Sequence, residues 1–284
     1  MKAERGLTVE RMCVLARVSR AGFYREVLPA KVPCDEVALR DAVQQIALDW
    51  PCYGSRRIVE ELRCRGWVVN RKRVQRLMRE DNLLCLRKRR FVATTDSAHD
   101  LPIYPNLARE LVLEGINQLW RADITYIRLR QEFVYLAVIL DGYSRRVIGW
   151  ALDRTLEDSL TIAALEMALA ERAAAAGLVH HSDRGSQYAS RDYTAILHAH
   201  GIAISMSRKG NPWDNAACES FMKTLKYEEV HRSQYRDLAD ACARIGEFLE
   251  DVYNQKRLHS ALDYCSPVEF ERCLPSAGRC AVRA

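Results

Sequence analysis

From Leu119 the apolar residues no longer recur at helical spacing but come as three extended runs, Leu119–Leu129, Glu132–Asp141 and Arg146–Leu152, joined by short connections. Runs rich in Ile, Val, Thr and Tyr read as strands, and strands joined this closely pair as an antiparallel meander. The pattern then predicts a helix over about Leu156–Ala174, a strand over Leu178–Asp183, a helix over about Arg191–His200 and a strand over Ile202–Ser207. From Asp214 onward it is helical. Strands first, then alternating helix and strand, predict an α/β unit built on a mixed five-stranded sheet with flanking helices.

Ahead of the sheet the periodicity is helical. Thr8 is placed to cap Val9 to about Ala16, and Ser19 to cap Arg20–Arg25, two short helices across a tight turn. The next helix, about Asp35–Asp49, carries a stripe of Leu39, Val43, Ile46 and Ala47 and is ended by Pro51. Another, Ser55–Arg65, buries Ile58, Val59 and Leu62 and stops at Gly66. Asn70 caps Arg71 to about Glu80, with Val74, Leu77 and Met78 on the apolar side and Arg71, Lys72, Arg73, Arg76 and Arg79 on the other. A helix, a short connection and a basic helix form the layout that lays a recognition helix against DNA. A helical hairpin docked on an acidic neighbour is the alternative. Residues 92–116 have weak periodicity and contain Pro102 and Pro105, so they read as a linker. The expected organisation is a basic, all-α helix-turn-helix-like DNA-binding region at 1–91, a linker at 92–116, a catalytic core with C-terminal helices at 117–272 and a tail at 273–284.

Charge follows the same division. Residues 1–100 hold 21 Lys and Arg against 13 Asp and Glu, whereas residues 101–284 hold 22 against 24. The stretch Arg56–Arg90 alone has 13 basic and 4 acidic residues, a block that draws phosphate by counterion release whatever the base sequence. Ten cysteines occur with no Cys-x-x-Cys pair, and no histidine precedes His99, which excludes a zinc framework in the front third. The longest apolar stretch, Phe133–Leu140, is far shorter than the about 18 residues a membrane span needs, and the first residues hold no signal-peptide core. The expected compartment is the cytoplasm, and no membrane partner is expected.

Three carboxylates stand where chemistry has use for them. Asp123 lies inside the first strand between Ala122 and Ile124, where an acid has no packing role. Asp183 ends the fourth strand, the usual end for function in such sheets. Glu219 lies on a helix starting near Asp214, with Asn215 four residues before it and Lys226 seven after it on one face. Acids from three elements would repel one another and raise one another's pKa, so such a cluster suits divalent cations, Mg²⁺ or Mn²⁺. Two ions would serve the attacking and leaving oxygens of a phosphodiester, with water or a DNA 3′-hydroxyl as nucleophile. Each acid also has a plainer reading: Asp123 as a strand-edge salt bridge, Asp183 as a turn former, Glu219 as a partner of Lys223. Asp141 is a rival position that reads as a turn residue anchoring Ser144 and Arg145. His181-Ser182-Asp183 is no hydrolase triad, because neighbours on a strand point to opposite faces.

Between Asp123 and Asp183 lie 59 residues, and between Asp183 and Glu219 lie 35. The second spacing matches the D-D-35-E pattern of retroviral integrases and insertion-sequence transposases. The surrounding words are more specific: Trp120-Arg121-Ala122-Asp123-Ile124-Thr125-Tyr126, then His180-His181-Ser182-Asp183-Arg184-Gly185-Ser186-Gln187-Tyr188, then Gly210-Asn211-Pro212-Trp213-Asp214-Asn215 leading to Glu219-Ser220-Phe221. Tyr253-Asn254 with Arg257-Leu258-His259-Ser260-Ala261-Leu262 follows. Together they resemble the OrfB transposases of the insertion-sequence-three family. Val18-Ser19-Arg20-Ala21-Gly22-Phe23-Tyr24 and Tyr53-Gly54-Ser55-Arg56-Arg57-Ile58 are similar to that family's helix-turn-helix region, so the resemblance reaches nearly the whole chain, to about Phe270.

The resemblance implies an RNase H-like core in which Asp123, Asp183 and Glu219 are catalytic and hold two Mg²⁺ or Mn²⁺ ions. It implies DNA cleavage and strand transfer at insertion-sequence ends, that is, transposition and integration. Lys226 matches a basic residue that in such enzymes contacts transposon-end DNA. Arg56, Arg57, Arg71, Lys72, Arg73 and Arg76 are the further expected DNA contacts, and Asn215 and His181 the supporting residues. Double-stranded DNA, both transposon ends and target, is the expected partner, held by a homo-oligomer. The histidine- and cysteine-bound zinc module of retroviral integrases is absent. No sustained heptad repeat occurs, so an upstream-frame (OrfA) partner or fusion is a possible requirement, and a catalytically inactive or partner-dependent DNA-binding remnant is the alternative reading.

Overall fold

Thr8 and Asn70 each cap the helix that follows them. Thr8 Oγ1 accepts from the main-chain N–H of Arg11 at 3.4 Å, and Asn70 Oδ1 from that of Lys72 at 2.8 Å, supplying two of the N–H partners that a helix start lacks. The computed structural model describes residues 8–17, 19–20, 34–83, 102–172, 174, 177–208 and 212–274. The expected helix over Arg20–Arg25, the basic run Arg87–Arg90, Gly210-Asn211 and most of the tail lie outside the described residues. The chain divides into two units, Met1–Cys85 and Leu86–Ala284.

The first unit contains α1 (Val9–Ala16), α2 (Cys34–Asp49), α3 (Ser55–Cys64) and α4 (Arg71–Glu80). Leu39, Val43 and Ile46 of α2, Ile58, Val59 and Leu62 of α3, and Val74, Leu77 and Met78 of α4 are all buried. Ion pairs hold α2 to α4: Arg76 meets both Glu36 and Glu80 at 2.9 Å, Arg73 lies 3.6 Å from Glu36, and Arg40 meets Glu80 at 2.6 Å and also Asp81. Arg71, Lys72, Arg76 and Arg79 lie on the exposed arc of α4 and Arg73 is half-buried beside them, but part of that arc is engaged in these ion pairs. Arg73 and Arg76 turn onto Glu36 of α2, a pairing that sequence spacing on α4 alone does not display. Arg71, Lys72 and Arg79 stay exposed and make no ion pair among the described residues. Arg56 is exposed as well, and the Arg57 guanidinium lies 5.4 Å from the centre of the Tyr53 ring.

The second unit is the mixed five-stranded sheet with flanking helices. Its strands are β1 (Leu119–Arg128), β2 (Phe133–Asp141), β3 (Val147–Asp153), β4 (Val179–Ser182) and β5 (Ala203–Met206), in the order β3-β2-β1-β4-β5. The β1–β2 and β2–β3 pairings are antiparallel; β1–β4 and β4–β5 are parallel. Alternation along β1 and β2 sends Trp120, Ala122, Ala137 and Ile139 to one core, and Ile127, Leu129, Val134, Leu136, Val138 and Leu140 to the other. The first core is closed by α5 (Asp158–Glu171) and α6 (Arg191–Ala199), the second by α7 (Ala216–Leu225) and α8 (Leu238–Glu247). Gly149 lets α5 approach β3 so closely that a Cβ there would lie 2.2 Å from the Ala164 carbonyl oxygen.

Three features depart from the sequence expectation. Residues 102–113, in the stretch that reads as linker, lie on the sheet: Leu107 N–H donates to Ser205 Oγ at 2.8 Å, and Ala108 is buried with Leu119 and Val179. The α7 and α8 helices continue as π-helical turns, Lys226–Val230 and Phe248–Lys256. The edge strand β3 is covered by side chains rather than by another strand: Asn254 Oδ1 accepts from Val147 N–H and its Nδ2 donates to the Val147 carbonyl, both at 2.9 Å. At the C-terminal end α9 (Pro267–Cys273) brings Glu271 to Ser144 Oγ at 2.6 Å, Arg146 at 2.9 Å and Arg172 at 2.6 Å. No helix among the described residues is long and apolar enough to cross a membrane.

Candidate active site

Parallel pairing of β1 with β4 sets Arg121 opposite His181. Asp123 and Asp183 stand two residues beyond the last pair on each chain, Asp183 just past the end of β4, and the charge of Asp183 acts on the Asp123 carboxyl. The period of two puts Asp123 on the side of β1 that holds Ile127 and Leu129, the side covered by α7. Glu219 lies in the first turn of α7, where the positive end of the helix dipole favours an anion. Asp123 is close enough to feel the charges of both Asp183 and Glu219. Burial, then the charge of Asp183 and, more weakly, that of Glu219 push its carboxyl up to about 7, against opposing effects of the Ile124 N–H and of Lys226. The three acids do not form a closed ligand set: among the described residues, no three His, Cys, Asp or Glu side chains are gathered so as to hold a metal ion.

Local bonds hold each carboxylate. Asp123 Oδ1 accepts from Ile124 N–H at 2.9 Å, and Asp183 Oδ1 from Gly185 N–H at 3.0 Å. A Cβ on Gly185 would sit 3.1 Å from Asp183 Oδ1, so glycine lets the turn close on the acid. Glu219 has Lys223 Nζ at 3.8 Å, but that lysine is 72% exposed, so the pair contributes at most about 0.5 kcal/mol. Lys226 begins the π-helical turn rather than continuing the face of α7. Its Nζ lies 4.5 Å from the centre of the Tyr126 ring, and burial lowers its pKa while Asp123 acts to raise it.

Asn215 occupies the N-cap position of α7, and its Nδ2 donates to the Ala122 carbonyl at 3.1 Å. His181 is wholly buried between Ser205 Oγ at 2.8 Å and Ser207 Oγ at 3.0 Å, and burial, aided by the charge of Arg121, lowers its pKa to about 4. It is a neutral brace between β4 and β5. Asp141 anchors its turn: its carboxylate accepts from the N–H groups of Asn117 at 2.7 Å and of Tyr143 and Ser144 at 2.9 Å. Sequence reasoning passes over Arg208 and names Arg121 and Asp214 only within motifs, without the bond between them that ties elements 93 residues apart. It finds Arg257 only as part of a motif; in the structure the guanidinium meets the Glu228 carboxylate at 2.7 and 2.8 Å.

The raised pKa of Asp123 predicts a pH-dependent stability. Its folded value lies above the unfolded one, so the fold carries no penalty below pH about 4 and the full penalty above pH about 7. Three pKa units correspond to about 4 kcal/mol as an upper figure. Asp123→Asn is therefore expected to melt several degrees above the unsubstituted chain at pH 8 in chelator, and at the same temperature at pH 4. Equal melting at pH 8 would contradict this environment for Asp123.

Family profiles described as "Integrase core domain" match residues 114–212 and 200–267, and one described as "HTH-like domain" matches residues 35–91. The chain is 40% identical over 264 residues to the insertion element IS600 uncharacterized 31 kDa protein of Shigella sonnei, covering 91% of this chain and 97% of that protein. It is 35% identical over 280 residues to the transposase InsF for insertion sequence IS3A of Escherichia coli (strain K12), covering 95% and 96%. Among solved structures, a chain of the simian T-cell lymphotropic virus intasome in complex with PP2A regulatory subunit B56 gamma aligns at a TM-score of 0.47 and 14% identity, covering 85% of this chain and 78% of that one.

Proposed function

The chain belongs to the IS3 family of insertion-sequence transposases, and from that membership we propose that it cleaves and joins DNA at the ends of its element with Asp123, Asp183 and Glu219 as the metal-binding, catalytic carboxylates. The observation that supports this reading is the buried Asp123 carboxyl, raised to about 7 by burial and by the charges of Asp183 and Glu219. The donor set fits the ion. Three hard carboxylate oxygens and no thiolate suit Mg²⁺ or Mn²⁺, and a divalent charge relieves the repulsion that raises Asp123. Bound there as a pair, such ions supply activation of an attacking oxygen and stabilisation of a leaving one.

The protein's own groups do the rest. Lys226, close enough for its charge to act on Asp123, is the residue proposed to meet a phosphate of the transposon end. Asn215 and the Gly185 turn hold the backbone on which the carboxylates stand. In strand transfer the 3′-hydroxyl of the transposon end attacks a target phosphodiester. One P–O bond forms as another breaks, and a 3′-hydroxyl leaves on the target strand, so no external energy source is required. One active site must serve each transposon end, which calls for a homo-oligomer on DNA.

The basic face of the first unit serves as the DNA-binding surface. Arg71→Ala with Lys72→Ala is expected to reduce the slope of log affinity against log salt by about one for each phosphate no longer neutralised, with little effect on melting. Arg73→Ala or Arg76→Ala is expected to destabilise as well, because each leaves Glu36 short of a partner. An unchanged salt slope in the Arg71/Lys72 variant would make α4 a packing element only.

The function is tested by incubating the purified chain with Mg²⁺ and a labelled duplex carrying its element's ends, beside Glu219→Gln. Joined product from the unsubstituted chain alone supports strand transfer; nicks without joining indicate a water-using nuclease. No product, with DNA still bound and none appearing after the upstream-frame partner is added, would overturn the proposal in favour of an inactive remnant.

A further inference from the structure

The start of α7 is tied to the strand carrying Asp123 by two crossed hydrogen bonds. Arg121 Nη1 donates to the main-chain carbonyl of Asp214 at 2.7 Å, and Asn215 Nδ2 donates to the carbonyl of Ala122 at 3.1 Å. One side chain comes from the strand and the other from the helix start, and the strand residues are the two that precede Asp123. Pairing of β1 with β4 ends at Arg121, so Asn215 supplies a partner where the neighbouring strand gives out.

A third tie comes from the end of β5. Arg208 grips the Asp214 carboxylate through its main-chain N–H at 2.9 Å and through Nε and Nη2 at 3.0 Å each. The Asp214 side chain is only 5% exposed against 48% for Arg208. Hydrogen bonding to Arg208 holds the Asp214 carboxyl well below the usual carboxylate range. Arg121 is half-buried and makes no ion pair among the described residues; its guanidinium donates to a carbonyl instead. Placing a guanidinium there costs desolvation with no carboxylate in contact to offset it, and local costs of this kind gather around sites whose geometry matters.

We infer that Asp214, gripped by Arg121 and Arg208, is a positioning residue that sets where Glu219 stands relative to Asp123 and thereby how tightly the carboxylates hold a divalent cation. The inference rests on the reading of Asp123, Asp183 and Glu219 as the ion's ligands. Glu219 lies five residues past Asp214, little more than one helical turn at 1.5 Å per residue. A shift at the foot of α7 therefore passes almost undiminished to the Glu219 carboxylate, whereas ligand distances tolerate only about 0.2 Å.

Two variants test it. Asp214→Asn keeps the size of the side chain and removes the charge that Arg208 grips; Arg208→Gln removes the two guanidinium bonds from the exposed partner and keeps the main-chain one, so loss of fold is not expected. Mn²⁺ affinity is measured by calorimetric titration of the chain bound to transposon-end duplex, and the Mg²⁺ concentration for half-maximal joining is measured alongside. Both variants are expected to bind Mn²⁺ about tenfold more weakly and to need about tenfold more Mg²⁺, with duplex affinity and melting temperature little changed and Arg208→Lys partly restored. Unchanged Mn²⁺ affinity and Mg²⁺ midpoint in both variants would overturn the inference, as would a loss of rate that follows a fall in melting temperature with the midpoint unmoved. An unsubstituted chain that neither binds Mn²⁺ nor joins DNA would remove the three-carboxylate reading, and the inference with it.

Discussion

Changing Asp183 to Asn, or Glu219 to Gln, is expected to lower strand joining by about 10³-fold or more while leaving affinity for transposon-end DNA within about twofold. Each change keeps the shape of the side chain and removes the charge. At position 183 the amide oxygen still accepts from Gly185 N–H, so the turn that follows β4 is retained. At 219 the side chain loses only a 3.8 Å pairing with an exposed lysine. Neither change threatens the fold, and each relieves repulsion on Asp123. What is lost is the negative charge that a divalent cation needs from each ligand. DNA affinity is expected to persist because Arg71 and Lys72 belong to the other unit. Joining rates and duplex titrations on the same preparations check both halves, and an equal fall in both would contradict the division of labour.

The second large effect is on stability. Arg257→Ala is expected to cost about 3–5 kcal/mol, because it breaks a largely buried ion pair in which the Arg257 side chain is 5% and the Glu228 side chain 11% exposed. Arg257 also faces Tyr253, whose ring packs edge-on against Phe221 of α7 at 4.9 Å. Glu228 lies two residues past Lys226 in the π-helical turn, so the same change is expected to loosen the end of α7 and slow joining. Replacing both members, Arg257→Met with Glu228→Leu, is expected to recover most of the stability, since an apolar pair leaves no charge unpaired. Chemical denaturation of the single and double variants measures this. A single variant within about 1 kcal/mol of the parent would show that the pair is not structural.

These two cases mark what the sequence makes legible. The strands of the sheet read directly, because alternation between two cores forces β1 and β2 to display their period. The capped helix α4 reads directly too, since Asn70 and the Val74, Leu77, Met78 stripe are local features. Asp123 stands out as an acid among apolar neighbours, and the parallel pairing of β1 with β4 brings the chain segments that lead to Asp123 and Asp183 together. The rest depends on contacts between distant residues. Nothing near Arg76 indicates that Glu36 receives it, and nothing near Arg257 indicates Glu228. The bond from Arg121 to Asp214 spans 93 residues, and Asn254 reaches back 107 residues to Val147. Composition misreads residues 102–113 for the same reason: proline and weak periodicity describe an irregular backbone, whether it hangs free or lies on a sheet.

Whether Asp123, Asp183 and Glu219 together form one divalent-cation site is most directly tested with Fe²⁺ in place of Mg²⁺, using ascorbate and peroxide to cut the backbone wherever the iron is held. The account predicts cuts near residues 123, 183 and 219 together, suppressed by excess Mg²⁺ and lost at all three segments when any one of the acids becomes its amide. Cuts at one segment alone, or cuts at all three that survive Glu219→Gln, would contradict it.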